Sequence, residues 1–353
     1  TSISRSFLQA TTPIFINEVF LKLYSLVVLL LHWFLYIDFT AFLQLYILGY
    51  VLKFIILFLI QVFNRQLMIS FSLNNMNFNK IISFGLYVLF SGASIILVAR
   101  LDMIMIGSLL DLEQVAFYSV AFFIGNAIKV PGKSIASISI PLLAKAWENK
   151  DIKGIHMLYK KSSITQLIIA GVLFLCIWLN IDEVFQLLPD KFQGGKWVVL
   201  FIGLSQLFNM ATGLNGAIIV NTSYFKYDLY VNIFLVIITV TTNYFFIKVF
   251  QLGINGAAMA TALSIFLYNL IKLIIIKIKM DIQPFSYKTF YTILVLSLIF
   301  LVVGIIPVFN MPLVDIVFRS ILIFILFVPI VYKLKLSEDI NKLINVFINF
   351  FKT

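Results

Sequence analysis

The chain has 353 residues, of which 62% are hydrophobic and 12% charged, with a mean hydropathy of +1.06 and a net charge of +11. A water-soluble domain carries roughly twice that charged fraction, so these proportions exclude a soluble enzyme or a soluble binding module. They define an all-α, polytopic transmembrane bundle, in which apolar runs near the ~20 residues a bilayer demands recur from end to end.

Taken in chain order, the opening TSISRSFLQATTPIF has no signal-peptide h-region and begins at Thr1. It reads as the start of an N-terminally truncated chain. Ten spans are predicted, at about 18–37, 40–62, 83–106, 114–143, 162–181, 196–219, 228–250, 255–277, 289–308 and 313–332. The longest linkers, about 63–82, 144–161 and 182–195, are too short for a soluble catalytic domain. Alternation of these spans puts 16 of the 26 Lys and Arg on one side (Arg5, Arg65, Lys80 and Lys145 among them) and three, Lys191, Lys196 and Lys248, on the other. Seven lie within spans. That bias makes the first side cytoplasmic, with both ends of the chain there. The basic excess is a topology signal, and no nucleic-acid partner is expected.

In the first two spans, Lys22 and Lys53 lie close enough to the cytoplasmic face to snorkel, and Lys272 of a later span reads the same way. The third span carries Arg100 and Asp102 two residues apart. On a helix they point in opposite directions, so they do not pair. Asp102 shares a face with Tyr87, Ser91 and Ser94 and is expected inward, against a basic residue. Arg100 is expected near the outer interface or reaching another helix.

The fourth span contains Lys129 and Lys133 far from either end. Asn126, Lys129, Lys133 and Ser137 fall within an arc of about 80°, and Pro131 and Gly132 should kink the helix between them. Charges at mid-bilayer are costly and face a bundle interior or a wet cavity. Acids in the spans are scarce, essentially Asp102 and Asp315, with Glu18 at an edge. The pattern therefore points to a cavity that receives an anion, and the plain alternative is pairing with a buried carboxylate.

Further along, the lone Cys176 reads as a small buried hydrophobe, and His32 and His156 lack metal-ligand spacing. The outer loop DEVFQLLPDKFQGG reads as a solvated hairpin. Two uncharged stripes follow: Ser205, Asn209, Thr212, Gly213 and Gly216, then Asn232, Thr239 and Asn243. Small and polar residues at this spacing make interhelical contacts or line a cavity. Asp315 and Arg319 are spaced for a helical pair, or Arg319 lines a cavity. The tail KLSEDINKLINVFINFFK is amphipathic, with Leu343, Val346, Phe347, Phe350 and Phe351 at helical spacing, and should lie along the interface. No HExxH, GxSxG or Walker A motif occurs, so no enzyme, cofactor or metal site is expected.

Two blocks carry a family resemblance. LDMIMIGSLLDLEQVAFYSVAFFIGNAIKVPGKSIASISIPLLAKAWENKD resembles the seventh and eighth helices of polysaccharide flippases, through Asp102, Ile106, Gly107, Tyr118, Pro131 and Pro141. GINGAAMATALS, 253–264, is similar to a recurring block of the same proteins, through Gly253, Gly256, Ala257, Ala260, Thr261 and Ser264. These are O-antigen and lipid-linked oligosaccharide exporters of the multidrug/oligosaccharidyl-lipid/polysaccharide superfamily, with a MATE-like fold of twelve or fourteen helices in two six-helix lobes.

The resemblance implies the last two helices of a first lobe and an interlobe loop in 1–82, and a complete second lobe in 83–277. It implies an extra helix pair in 278–335 and an amphipathic tail in 336–353, with roughly four helices absent. It also implies a bacterial inner-membrane protein that moves an undecaprenyl-pyrophosphate-linked oligosaccharide by alternating access, with membrane lipids and polysaccharide-assembly proteins as partners. On that reading Lys129 and Lys133 bind phosphate, and Asp102 pairs with a cation or takes part in ion coupling. Asn126, Arg100, Asn209, Asn232, Asn243 and Arg319 complete the cavity candidates. The alternatives are an ion-coupled drug or cation exporter of the same fold, a non-transporting assembly subunit, and a membrane-embedded transferase or glycan polymerase.

Overall fold

The structure is a computed structural model. It describes residues 16–34, 36–63, 78–306, 309 and 311–350, without the side chains of 17, 18, 61, 78–81, 84, 88, 91, 94–96, 99, 347, 348 and 350. Expectations resting on the opening stretch, Arg5, Glu18, most of 63–82 with Arg65 and Lys80, Ser91, Ser94, Phe347, Phe350, Phe351 and Lys352 lie outside the described residues. The described elements are helices, and the chain divides into two compact units, Thr1–Phe78 and Asn79–Thr353.

In the first unit a π-helical turn, Ile16–Phe20, leads into α1 (Leu21–Trp33), which pairs with α2 (Phe39–Phe63). The Tyr24 hydroxyl donates to the Leu45 carbonyl at 2.9 Å, tying the two helices together. Asp38 accepts from the Ala41 amide at 3.0 Å and so starts α2 by satisfying one of its free N–H groups.

The second unit opens with α3 (Phe78–Leu109). A single path then runs through α4 (Leu112–Asn126), a 3₁₀ turn at Ala127–Lys129 and α5 (Val130–Glu148). Asp111 caps α4 by accepting from the Gln114 amide at 2.7 Å. Next come α6 (Ile152–Trp178), the short α7 (Ile181–Gln186), a 3₁₀ turn at Asp190–Gly195, α8 (Lys196–Ala211) and α9 (Asn215–Val220). Then follow α10 (Phe225–Tyr244) with a π-helical end, Phe245–Val249, and α11 (Gly253–Met280). The unit closes with α12 (Tyr287–Gly304), α13 (Pro312–Lys333) and α14 (Glu338–Phe350).

Helix α6 is the centre of this unit. It is 61% buried over its apolar window, against 6–33% for the other helices long enough to span. One side of it packs on α5 and α8, the other on α12 and α13. Ile164, Ile168, Val172 and Leu175 of α6 meet Val295, Ile299 and Val303 of α12 and Ile323, Phe327 and Val331 of α13. A second core joins Ile106, Tyr118, Ala121, Val198, Ile202, Ala257 and Ala258 from α3, α4, α8 and α11. The outside is as apolar as the inside: α13 exposes Leu313, Val317, Ile321, Phe324 and Ile325. In water a surface of this kind would drive aggregation; in a bilayer it is the solvated face.

The ten predicted spans become seven helices long and apolar enough to cross a membrane among the described residues. Two of the missing three have a structural cause. The stretch read as 18–37 yields α1, only 13 residues long. The stretch read as 196–219 is broken between α8 and α9, where Gly213 adopts φ +62°. An added Cβ there would stand 3.0 Å from the Ser163 backbone, so the break needs glycine for both conformation and space. The stretch read as 83–106 is helical throughout, within α3.

Candidate functional site

The path α4–turn–α5 carries the lysine pair. The helix tightens into a 3₁₀ turn just ahead of Pro131, because proline has no N–H to give the Ala127 carbonyl four residues back. That carbonyl is taken instead by the Val130 amide in a 3₁₀ bond. Lys129 is half-buried and Lys133 exposed, with Asn126 and Ser137 half-buried along the same helical path. Lys129 is about 25 Å of helix from either end of the path, beyond the reach of a snorkelling side chain. Neither lysine forms an ion pair or hydrogen bond among the described residues. The alternative of a buried carboxylate partner therefore has no counterpart there. Asn126 donates to the Phe122 carbonyl at 3.1 Å, while its buried Oδ1 makes no hydrogen bond among the described residues. Beside this path, Gly132 admits the Met210 sulfur, which would stand 2.6 Å from an added Cβ, and the buried Gln166 of α6 lies just behind.

Asp102 is turned inward and 3% exposed. It was expected against a basic residue, and instead it accepts from three neutral donors on three helices. These are Tyr118 of α4 at 2.7 Å, Asn243 of α10 at 2.9 Å and Thr261 of α11 at 2.5 Å. Such donors offset part of the desolvation of a carboxylate without cancelling its charge. Of the predicted stripe, Tyr87 turns elsewhere: its ring stands edge-on to Phe225, with the Lys226 ammonium 5.8 Å from its centre. A cavity of ≈ 440 Å³ beside it is lined by Ile82, Leu86, Phe90 and Leu229, away from the lysine pair. Arg100 is exposed, with its guanidinium 3.9 Å from the Met103 sulfur.

The snorkelling expected of Lys272 is overturned. It is 2% exposed and pairs with Asp228 at 2.7 Å, its ammonium also bonded to the Tyr268 hydroxyl and 4.1 Å from that ring's centre. Asn232 donates to the other Asp228 oxygen at 2.9 Å. Asp228 escaped the sequence reading because it sat at a predicted span edge; its spacing of four from Asn232 was the available signal. One turn away, Asn269 accepts from Thr212 at 3.1 Å and Asn215 at 2.9 Å, stitching α11 to both sides of the α8–α9 break. Thr212, Asn232, Thr239 and Asn243 are fully buried, and of these Thr212 and Asn243 bond to other helices. Among the described residues the Asn209 side chain donates to Gln206, at 3.4 Å.

The predicted Asp315–Arg319 pair does not form. Asp315 accepts from the Phe309 amide at 2.8 Å. Arg319 donates to the Leu179 and Ile306 carbonyls at 2.7 and 3.0 Å and pairs with Glu183 at 3.3 Å. The guanidinium prefers three acceptors on neighbouring segments to one carboxylate on its own helix. The loop read as a solvated hairpin is largely ordered into α7 and a 3₁₀ turn, with Asp182 paired to Lys196 at 2.6 Å. Its acids thus hold structural partners.

These features define a class: a multi-pass, all-α membrane protein with polar groups held between its helices and two cations at mid-span. Residues 7–147 match the family model described as "Polysaccharide biosynthesis protein", and residues 88–245 match the model described as "MatE". Both models describe families of the multidrug/oligosaccharidyl-lipid/polysaccharide superfamily of transporters, to which the chain is similar over residues 7–245. No curated protein and no solved structure gives a significant match.

Proposed function

We propose that this protein is a flippase that carries an undecaprenyl-pyrophosphate-linked oligosaccharide, such as an O-antigen unit, across a bacterial cytoplasmic membrane by alternating access. The observation that carries the reading is the pair Lys129 and Lys133: cations at mid-span without a carboxylate partner among the described residues. Two cations at mid-span ask for an anion. A pyrophosphate meets both at once, and lysine, a point charge on a flexible stem, can follow it as the helix moves. The 3₁₀ turn and Pro131 supply a place for that movement. The match to the polysaccharide biosynthesis model supports the glycan part of the substrate. In this reading Asn126 and Gln166 contact the head group, the chain has no enzymatic step, and polysaccharide-assembly proteins hand it substrate.

The test is surface glycan in a strain lacking its own flippase, complemented with the full-length gene carrying Lys129→Gln and Lys133→Gln. Export should fall at least tenfold at unchanged membrane abundance. Unchanged export would remove both lysines from the mechanism.

A second reading, an ion-coupled exporter of drugs or cations, is favoured by Asp102, a buried carboxylate without a cationic partner among the described residues, and by the MatE match. Export of a cationic dye that depends on Asp102 and survives the lysine changes would favour it.

A further inference from the structure

Helix α14 presents an apolar face that the rest of the described chain leaves uncovered. One flank is fixed to the protein. Asp339 pairs with Lys161 of α6 at 2.9 Å, and Ser337, just ahead of the helix, bonds Thr165 of α6 at 2.9 Å. Asn341 donates to the Tyr332 carbonyl at 3.0 Å, and the Tyr332 hydroxyl donates to Asn345 at 2.7 Å, so α13 holds the same flank. Ile340 packs into the core between α6 and α13. Leu343 and Val346, on the far side from Asn341 and on the stripe that Asp339 begins, are 67% and 69% exposed. Lys342 and Asn345 are exposed as well, about 100° round the helix from that face, with Asn345 on the flank that Tyr332 holds.

We propose that α14 lies in the plane of the bilayer surface, with Leu343 and Val346 seated among the lipids of the leaflet on the lysine-rich side. Three observations choose lipid as the occupant. The helix starts five residues after α13 ends at Lys333, so its first turn is held at the end of a membrane-spanning segment. Its 13 residues extend about 20 Å, too short for the ~30 Å hydrocarbon layer. An apolar face on such a helix reaches lipid only by lying flat. Lys333, Lys335 and Lys342 stand exposed around it, a charge pattern that suits anionic head groups. Through Lys161–Asp339 and Thr165–Ser337, the lipid-seated helix fixes the end of α6, the most buried helix, to that leaflet.

The test uses the full chain in liposomes of mixed zwitterionic and anionic lipid. Cys176→Ser removes the one native thiol. Nitroxide labels are then placed singly through Leu343→Cys, Val346→Cys and Lys342→Cys, with monodispersity confirming folding. The ratio of collision with oxygen to collision with a water-soluble nickel complex should be several-fold higher at 343 and 346 than at 342. Equal nickel access at all three positions would place the face in water and overturn the proposal. Shielding of 343 and 346 from both reagents would also overturn it, with dipolar broadening between labels identifying a second copy as the cover.

Discussion

Asp102 shows how a single side chain is solved in this membrane interior. A carboxylate in a low-dielectric setting needs donors, and Tyr118, Asn243 and Thr261 arrive from three helices to supply them. Asp102→Ala removes the common acceptor and leaves those groups buried without it. At ~1–3 kcal/mol for each unsatisfied group, a loss of about 3 kcal/mol or more is expected. Thermal unfolding in detergent should show Asp102→Ala well below the parent, with Asp102→Asn between them. An alanine variant as stable as the parent would show the triad to be dispensable.

The Asp228–Lys272 pair is a second case. Lys272→Met strands a buried carboxylate and should cost about 3–5 kcal/mol. Adding Asp228→Leu to it should recover much of that loss, because an apolar pair needs no solvation. A double variant worse than either single one would contradict this account.

At the scale of elements, breaks matter more than helices. The α4–α5 path tightens to a 3₁₀ turn where Pro131 withholds an N–H, and the α8–α9 path breaks where Gly213 takes a left-handed turn. The second break is secured from outside. Ser163 donates to the Ala211 carbonyl at 2.5 Å, and Asn269 gathers Thr212 and Asn215. Gly213→Ala meets an unfavourable φ and the Ser163 backbone together. It should lower stability by about 2 kcal/mol, the upper part of the range for a forced positive φ. The check is a thermal shift beside Gly194→Ala, where an added Cβ meets open space. Similar shifts for both would mean that the break tolerates other residues.

For the whole molecule, the distribution of charge makes an orientation testable. Lys191 lies in the turn between α7 and α8 and Lys196 begins α8, while Lys145, Lys150 and Lys153 cluster where α5 ends and α6 begins. Cysteines placed singly at 150 and 191 in a Cys176→Ser background should differ in whole cells. An impermeant maleimide should label 191 and leave 150 unlabelled until the membrane is opened. Labelling of both in intact cells would show that alternation of the spans had been misread.

The sequence alone determined the class of this protein. A 12% charged fraction leaves no choice but a bilayer, and long apolar runs become helices because a lipid-exposed backbone must bond within itself. Period and cost also pointed Asp102 inward and set the lysine pair apart, since a mid-span charge is legible wherever it occurs. The tertiary structure decided partners. Sequence spacing paired Asp315 with Arg319 and sent Lys272 to the surface, yet Arg319 and Lys272 found carboxylates on other helices and Asp315 took the Phe309 amide. A local pattern reports which face a residue occupies, and only the packing of helices decides which donors and acceptors come within 3 Å of it.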